Sequence, residues 1–358
     1  MLQYDTFTLG GLRECSAAIR GKTAFDDVHI IHILYIFSCL IVSFIVPSVS
    51  VIIPVFDVEP YISRCARSLF GQTLRDVEFI FIDDCTPDRS IEVLLDVLDD
   101  YPERKDQVVI YKMPQNSGQA RVRMQGISLA KGEYVIHCDS DDEVALDAYE
   151  KMYLKALKEH LDVVACDFYL EQEGSRVKRS LYAPIGKEVD AILSGKVMGS
   201  LWCRLFKRSL LKGIVPPVGN MTEDVVITVQ ALQRAQSIGY LSEALYHYHL
   251  RGTSISKSSG KEADLIRWKS FYANSQLVVD VLKLPARHAP LVFFKYRTRY
   301  YLQRYVHLPD CYRLWRNTFP EIDRYFLFTP EIPLMEKLWF VLIHLHLYHP
   351  WKVMTGKA

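Results

Sequence analysis

Acidic side chains gather in two places where a cluster could do chemistry: Asp83-Asp84, and Asp139-Ser140-Asp141-Asp142. The carboxylates of the second cluster repel one another unless a cation or hydrogen-bond donors offset their charge. Asp139 and Asp141, two apart, share one side if the chain stays extended, and Ser140 points away. A hard divalent cation, Mg2+ or Mn2+, suits that pair, because it takes one or two carboxylates and completes its shell with water and phosphate oxygens. The pattern therefore implies a phosphate-bearing ligand. The plainer reading is a solvated acidic turn capping the helix expected from Ala145, since Asp is favoured at helix starts by itself. The position of the cluster directly after a buried strand weighs against it.

The elements that must hold these acids follow from the periodicity. Val49 to Val55 is apolar on both faces and β-branched, as in a strand inside a parallel sheet. A helix is predicted from Pro60 to Gln72, with Ile62, Cys65, Ala66 and Leu69 on one stripe. Strands are predicted over Glu78–Asp83, Val108–Lys112, Tyr134–Cys138 and Asp162–Leu170, and helices over Ser90–Leu98, Ser117–Lys131 and Ala145–His160. This alternation means an α/β fold with a mainly parallel sheet flanked by helices. Both acidic clusters end strands, and open α/β sheets bind ligands beyond the carboxyl ends of their strands. Neither G-x-G-x-x-G nor G-x-x-x-x-G-K-[ST] occurs, so phosphate must be handled without those glycine cradles.

Composition narrows the class further. With 358 residues, 49% apolar, and a net charge of +1, the chain can fill a core, and its average gives no support for a nucleic-acid partner. The 8 cysteines are scattered without a C-x-x-C pair and read as reduced, buried thiols. Asn220-Met221-Thr222 matches the glycosylation acceptor pattern, which a chain of this kind meets by coincidence.

The stretches Val49 to Tyr61, Gln72-Thr73, Glu78 to Asp84, Asn116-Ser117-Gly118, Ala130 to Tyr134 and Asp139 to Asp142 resemble, in order and spacing, a family 2 glycosyltransferase of the GT-A fold. Trp202 to Arg208, Thr222-Glu223-Asp224 and Leu245 to Ile255 match its later landmarks, so the resemblance covers roughly Ser48 to Ile255. It implies a nucleotide-sugar site, UDP-linked, containing Pro54, Val55, Glu59, Asp84, Asn116, Gly118, Arg123, Asp139, Ser140 and Arg251. Pro54 and Val55 would lie beside the base, Asp84 would accept from the uracil imide, Arg123 would meet the base or diphosphate, and Asp139 would face the ribose. Asp141 would hold the metal, with Asp139 and His249 as further candidate ligands. Asp224 would be the general base, and Glu223 and Trp202 would orient the acceptor. An inverting transfer needs one carboxylate to take the acceptor proton while the metal offsets charge on the departing diphosphate. Glu223-Asp224 also fits plain capping of the helix before Val225.

Departures from the family pattern are Asp57 for Asn, Cys85 for Gly, Ala120 for Ser and Met124 for Asn. His247 and His249 alternate with tyrosines on an apparent strand, where ordinary strand histidines are the plainer reading.

Three segments are expected: an extension over 1–47, a catalytic domain over 48–260, and a helical region over 261–358. Ile30 to Val46 lacks Asp, Glu, Lys and Arg, just short of the roughly 20 residues that span a bilayer. It reads as a borderline anchor or a start site placed too early; no A-x-A site marks it for export. Residues 261–358 hold 15 basic and 8 acidic side chains, against 28 and 34 before them, and interleave them with aromatics in Phe293 to Tyr305. An anionic membrane surface suits this region, and so does a packed helical subdomain. The expected protein is a cytoplasmic enzyme, peripheral on the inner face of the membrane, that moves sugar from a nucleotide donor to a glycan or lipid-linked acceptor. A nucleotide-sugar nucleotidyltransferase, which lacks its glycine-rich signature here, and a non-catalytic GT-A-like partner are the alternatives.

Overall fold

The β-branched run Val49–Val55 forms β1, and its alternation sorts side chains to two faces: Val49, Val51, Ile53 and Val55 join one apolar cluster, Ile52 the other. In β2 (Val77–Asp83), Phe79 and Phe81 divide in the same way from Ile80 and Ile82. Each such side chain contributes about 1.5–3 kcal/mol by leaving water. With β3 (Val108–Lys112) and β4 (Tyr134–His137) they make a parallel block in the order β3-β2-β1-β4. Helices α1 (Glu59–Phe70) and α2 (Ser90–Asp99) cover the first face, and α3 (Gln119–Leu129) the second. A Cβ on Gly126 would lie 2.2 Å from Ile52 Cγ2, so glycine there lets α3 rest directly on β1.

This computed structural model describes residues 46–172, 175–250 and 260–348. The chain divides into Met1–Val46 and Pro47–Ala358, and the elements here belong to the second unit. Apart from Val46, the apolar run from Ile30 lies outside the described residues.

Beyond β4 the sheet is mixed. It continues through β5 (Glu143–Val144), β6 (Val163–Gln172), β7 (Ser175–Arg179), β8 (Arg204–Lys207) and β9 (Ile238–His249) in the spatial order β4-β8-β6-β9-β5, with β7 on β6. β8 runs antiparallel to both β4 and β6, whereas β9 is parallel to β6. An antiparallel β8 begins where β4 ends, which brings Trp202 to the carboxyl edge. The parallel β9 delivers His247 and His249 to that same edge. Helix α4 (Ala148–Glu159) starts three residues later than the expected Ala145, because Glu143-Val144 pairs with His247 and Tyr246 of β9 instead.

The second face is completed by α5 (Glu188–Leu193), α6 (Glu223–Arg234) and α7 (Lys261–Leu282), whose Ile192, Val226 and Val278 share one cluster with Ile52. Then α8 (Ala289–Arg297), α9 (Pro309–Asn317) and α10 (Leu334–His344) build a third apolar cluster around Trp315 and Phe326. The basic, aromatic segment near Phe293 is mainly core: Phe294, Lys295, Tyr296 and Arg299 are buried, with Lys295 on Glu321 at 2.7 Å and Arg299 on Asp323 at 2.8 Å. An open apolar stripe runs along α10 and its C-cap, where Leu334, Leu338, Val341 and Leu345 face outward and Leu334 is 81% exposed. No helix among the described residues is long and apolar enough to cross a membrane. Cys65, Cys85, Cys138, Cys166, Cys203 and Cys311 are free thiols, all but Cys85 buried.

Candidate active site

The Asp139–Asp142 turn leaves β4 at the carboxyl edge of the sheet, and its three carboxylates have different surroundings. Asp139 Oδ1 accepts from Arg123 Nη2 at 2.9 Å, and its backbone N–H donates to Tyr246 Oη at 3.1 Å. Asp142 is fully buried: Tyr246 Oη–H donates to Oδ2 and the His249 N–H to Oδ1, both at 2.8 Å. Burial, then the charge of Asp139, pushes its carboxyl well above the usual range. Asp142 therefore fastens β9 to the turn, a role that sequence reasoning missed because it was read only as one acid among three. Asp141 is half-buried at the rim, and its carbonyl accepts from Arg64 Nη2 at 2.8 Å. Ser140 is buried between them.

His249 does not join Asp139 and Asp141. Its Nε2 faces Glu143 Oε2 at 3.3 Å, and burial followed by the neighbouring Arg64 charge lowers its pKa. His247 Nδ1 lies 2.8 Å from Glu171 Oε1. Among the described residues, no group of three or more His, Cys, Asp or Glu side chains is arranged to hold a metal. The oxygen donors present at the rim match the one or two carboxylates that Mg2+ takes when phosphates and water complete its shell.

At the ends of β1 and β2 lie the other expected residues. Asp84 is buried, and its two oxygens accept from the Ser117 and Gly118 N–H groups at 2.6 and 2.8 Å. The carboxylate expected to meet a base imide thus already shapes the loop into α3. Val55 is buried, Pro54 half-buried and Asn116 exposed. Glu59 Oε2 accepts from the Arg89 N–H at 3.0 Å, and its own N–H donates to Asp88 Oδ2 at 2.8 Å. Burial raises the Asp88 carboxyl, but hydrogen bonds from Ser90 and Thr86 outweigh it and hold the pKa at about 2. Asp57 and Cys85 adopt φ of 53° and 55° at these strand exits. Cys85 stands where a glycine was expected, and its left-handed backbone costs roughly 1–2 kcal/mol that glycine would not incur.

Arg123, 3% exposed on α3, joins the turn to the start of α6: its Nε lies 3.4 Å from Glu223 Oε1. Burial alone would weaken its charge, but Asp139 and Glu223 raise its pKa. Its buried Nη1 makes no hydrogen bond among the described residues. Glu223 is 5% exposed, and burial, reinforced by Asp224 and opposed by Arg123, pushes its pKa up to about 8. Asp224 is also raised by burial, against the pull of Arg123 and a hydrogen bond from the Val225 N–H. One guanidinium therefore serves Asp139, Glu223 and Asp224, and its charge partly offsets the burial that raises both Glu223 and Asp224. His137 lies fully buried close by, held neutral by burial and by the Arg123 charge.

Trp202, expected to face an acceptor, is instead enclosed at 6% exposure. It stacks on Tyr246 at 4.4 Å and Tyr248 at 5.6 Å and meets Phe168 edge-on at 4.9 Å. It supports the tyrosine that holds Asp142. Arg251 lies outside the described residues.

Against this geometry, residues 50–215 match the sequence model described as Glycosyl transferase family 2. The uncharacterized glycosyltransferase EpsJ of Bacillus subtilis is 30% identical over 234 residues, which cover 61% of this chain and 65% of EpsJ. The poly(ribitol-phosphate) beta-glucosyltransferase of Bacillus spizizenii is 30% identical over 241 residues, covering 66% of this chain and 37% of that protein. The chain thus spans less than two thirds of these relatives' own length. Among solved structures, S. aureus TarS 1–349 in complex with UDP-GlcNAc is 18% identical with a TM-score of 0.53, over 78% of this chain and 89% of that one. The mannosyltransferase PcManGT from Pyrobaculum calidifontis in complex with GDP-Man and Mn2+ is 15% identical with a TM-score of 0.50, over 87% and 84%. These likenesses establish a shared GT-A fold, and the match over residues 50–215, set on the β1-to-β4 block and its acidic turns, shows that the chain carries a glycosyl transferase family 2 domain.

Proposed function

We propose that the protein is a metal-dependent, inverting glycosyltransferase that takes sugar from a UDP-linked donor and passes it to a glycan or lipid-linked acceptor during polysaccharide synthesis. The observation that carries this reading is the joining of Asp139 and Glu223 by one buried arginine, Arg123. It brings a metal-type acidic turn and a carboxylate with raised pKa to one edge.

In this reading Asp224 takes the proton of the acceptor hydroxyl as that oxygen attacks the anomeric carbon from the face opposite the leaving diphosphate. Glu223 hydrogen-bonds the acceptor, and burial makes Asp224 a stronger base than an exposed carboxylate. Arg123 offers its unpaired Nη1 toward growing diphosphate charge, and Pro54, Val55 and Asn116 border the base. Asp141 would hold Mn2+ or Mg2+, with Asp139 beside it, and the ion would supply charge compensation for the departing phosphates. Support for donor and metal comes from the UDP-GlcNAc complex of TarS and the GDP-Man and Mn2+ complex of PcManGT. The ribitol-phosphate relative supports a polymeric, phosphate-rich acceptor. The stripe on α10 and the surplus of basic residues in 261–358 support a peripheral seat on an anionic, cytoplasmic membrane face.

The test is release of nucleoside diphosphate from a panel of UDP- and GDP-sugars by the purified full chain, with Mn2+ or with chelator. Turnover that depends on Mn2+ and falls about 100-fold or more in Asp224→Asn, while donor still binds, supports the reading. Turnover untouched by chelator would remove the metal, and a fully active Asp224→Asn would remove the base.

A further inference from the structure

Asn274 lies on α7, well outside the family match, yet its buried amide is committed to the stretch before Glu223-Asp224. At 0% exposure, its Oδ1 accepts from the Val218 N–H at 2.8 Å and the Gly219 N–H at 3.2 Å. Its Nδ2 donates to the carbonyls of Gly219 at 2.7 Å and Met221 at 2.8 Å. One turn earlier on the same helix, Ser270 Oγ accepts from the Met221 N–H at 3.0 Å. A Cβ on Gly219 would lie 2.1 Å from that Oγ, so the loop is pressed directly onto α7.

The opposite side of the loop is held as well. Asn220 Oδ1 accepts from the Ala120 N–H at 3.1 Å, in the first turn of the helix that carries Arg123. A Cβ on Gly118, at φ 80°, would lie 2.3 Å from Asn220 Nδ2. Thr222 then takes φ 63°, a left-handed backbone that a β-branched residue keeps only where its surroundings impose it. Residues 218–222 are thus a bracket between α7 and α3, and α6 begins at its end with Glu223 and Asp224.

We propose that Asn274 is a positioning residue for sugar transfer, setting the direction of the first turn of α6 and hence the place of Asp224 against Arg123 and Asp139. The inference rests on the reading of Asp224 as the base. An asparagine fits the task because it both accepts and donates; aspartate can only accept when ionised, and alanine can do neither. Removing the amide leaves N–H and C=O groups of the loop, part-covered against α7, without these partners, so the turn relaxes. A displacement of about 1 Å at a reacting group can lower the rate by ~100-fold.

The test uses the full chain with a donor that the wild type turns over, in Asn274→Ala, Asn274→Asp and Ser270→Ala. In Asn274→Ala we expect kcat to fall roughly 30- to 100-fold, with donor KM changed less than about threefold. The pH limb of kcat should shift, and amide exchange at Val218, Gly219 and Met221 should quicken while the interior of α6 stays protected. Asn274→Asp should recover part of the rate, and Ser270→Ala should lose less than Asn274→Ala. A variant that melts earlier but turns over with wild-type kcat and pH profile would reduce Asn274 to a structural tie and overturn the proposal. If Asn274→Ala does not fold, Asn274→Asp and Ser270→Ala decide on the same measurements, and unchanged kcat in both overturns it. A wild type that transfers from no donor would sink the reading of the site instead, while amide exchange would still report whether Asn274 holds the turn.

Discussion

Arg123 Nη2 lies 2.9 Å from Asp139 Oδ1, a buried arginine on a helix meeting the first acid of the turn that follows β4. The same guanidinium reaches Glu223 with its Nε at 3.4 Å, so acids 84 residues apart in the chain depend on one counter-charge. Replacing it by a neutral side chain leaves half-buried Asp139 and buried Glu223 without their common counter-charge. Arg123→Leu should destabilise the fold by about 3–5 kcal/mol at pH 8. The loss should shrink at pH 5, where protonation relieves the repulsion. Urea unfolding at the two pH values checks this, and an equal loss at both would show that packing, not charge, is at issue.

The raised carboxyl of Glu223 makes a second prediction about pH. Its folded pKa of about 8 exceeds the unfolded value of 4.5, so between these pH values the folded chain binds more protons than the unfolded chain. Stability from this group must then fall as pH rises through that window. Glu223→Gln, which cannot ionise, should flatten that fall in unfolding free energy measured from pH 5 to pH 8. In kinetics, kcat should rise with pH as Glu223 and Asp224, both raised by burial, ionise, and Glu223→Gln, which removes a neighbouring negative charge, should move that rise to lower pH. A pH–stability curve identical in wild type and variant would place the proton elsewhere.

Tyr246 bridges two acids of the turn, accepting from the Asp139 N–H and donating to Asp142. Tyr246→Phe removes the hydroxyl with little change of shape and leaves both partners without this bond. A loss of about 1–3 kcal/mol is expected from such unsatisfied groups, seen as a lower melting temperature. Because Asp139 and Asp141 share the turn, the Mn2+ concentration for half-maximal turnover should rise too. A Mn2+ titration with wild-type midpoint would confine Tyr246 to stability.

The outward stripe of α10 contradicts the usual rule that a surface helix turns polar residues to water. If it rests on lipid, the wild type should cosediment with phosphatidylglycerol-containing vesicles and much less with phosphatidylcholine alone. Leu338→Glu with Leu345→Glu should reduce that binding by more than about tenfold, since each buried leucine contributes roughly 1.5–3 kcal/mol. Turnover of a soluble acceptor should be unchanged. Wild-type protein left in the supernatant with every vesicle would exclude this seat.

Much of this protein could be read from local pattern. β-branched runs placed β1 and β2 inside a sheet, because burial on both faces demands apolar residues at every position. The acids after β2 and β4 fell at strand ends, where ligand edges lie. Other features depend on pairs that periodicity does not register. β8 runs against β4 because of the path the chain takes between them, and that path brings Trp202 behind Tyr246 rather than toward an acceptor. Asp142 looked like its two neighbours, yet hydrogen bonds from residues 104 and 107 positions away make it a fastener. Asn220, which by sequence read as a chance acceptor pattern, holds Ala120 from 100 positions away. Asn274 carried no signal, since an asparagine within a helix resembles any surface polar residue until the loop it holds is seen. Sequence by itself determined which segments are buried and where carboxylates gather, through the period of side chains along each element. Tertiary packing alone decided which acids share Arg123, because a buried charge takes its state from whatever the fold brings against it.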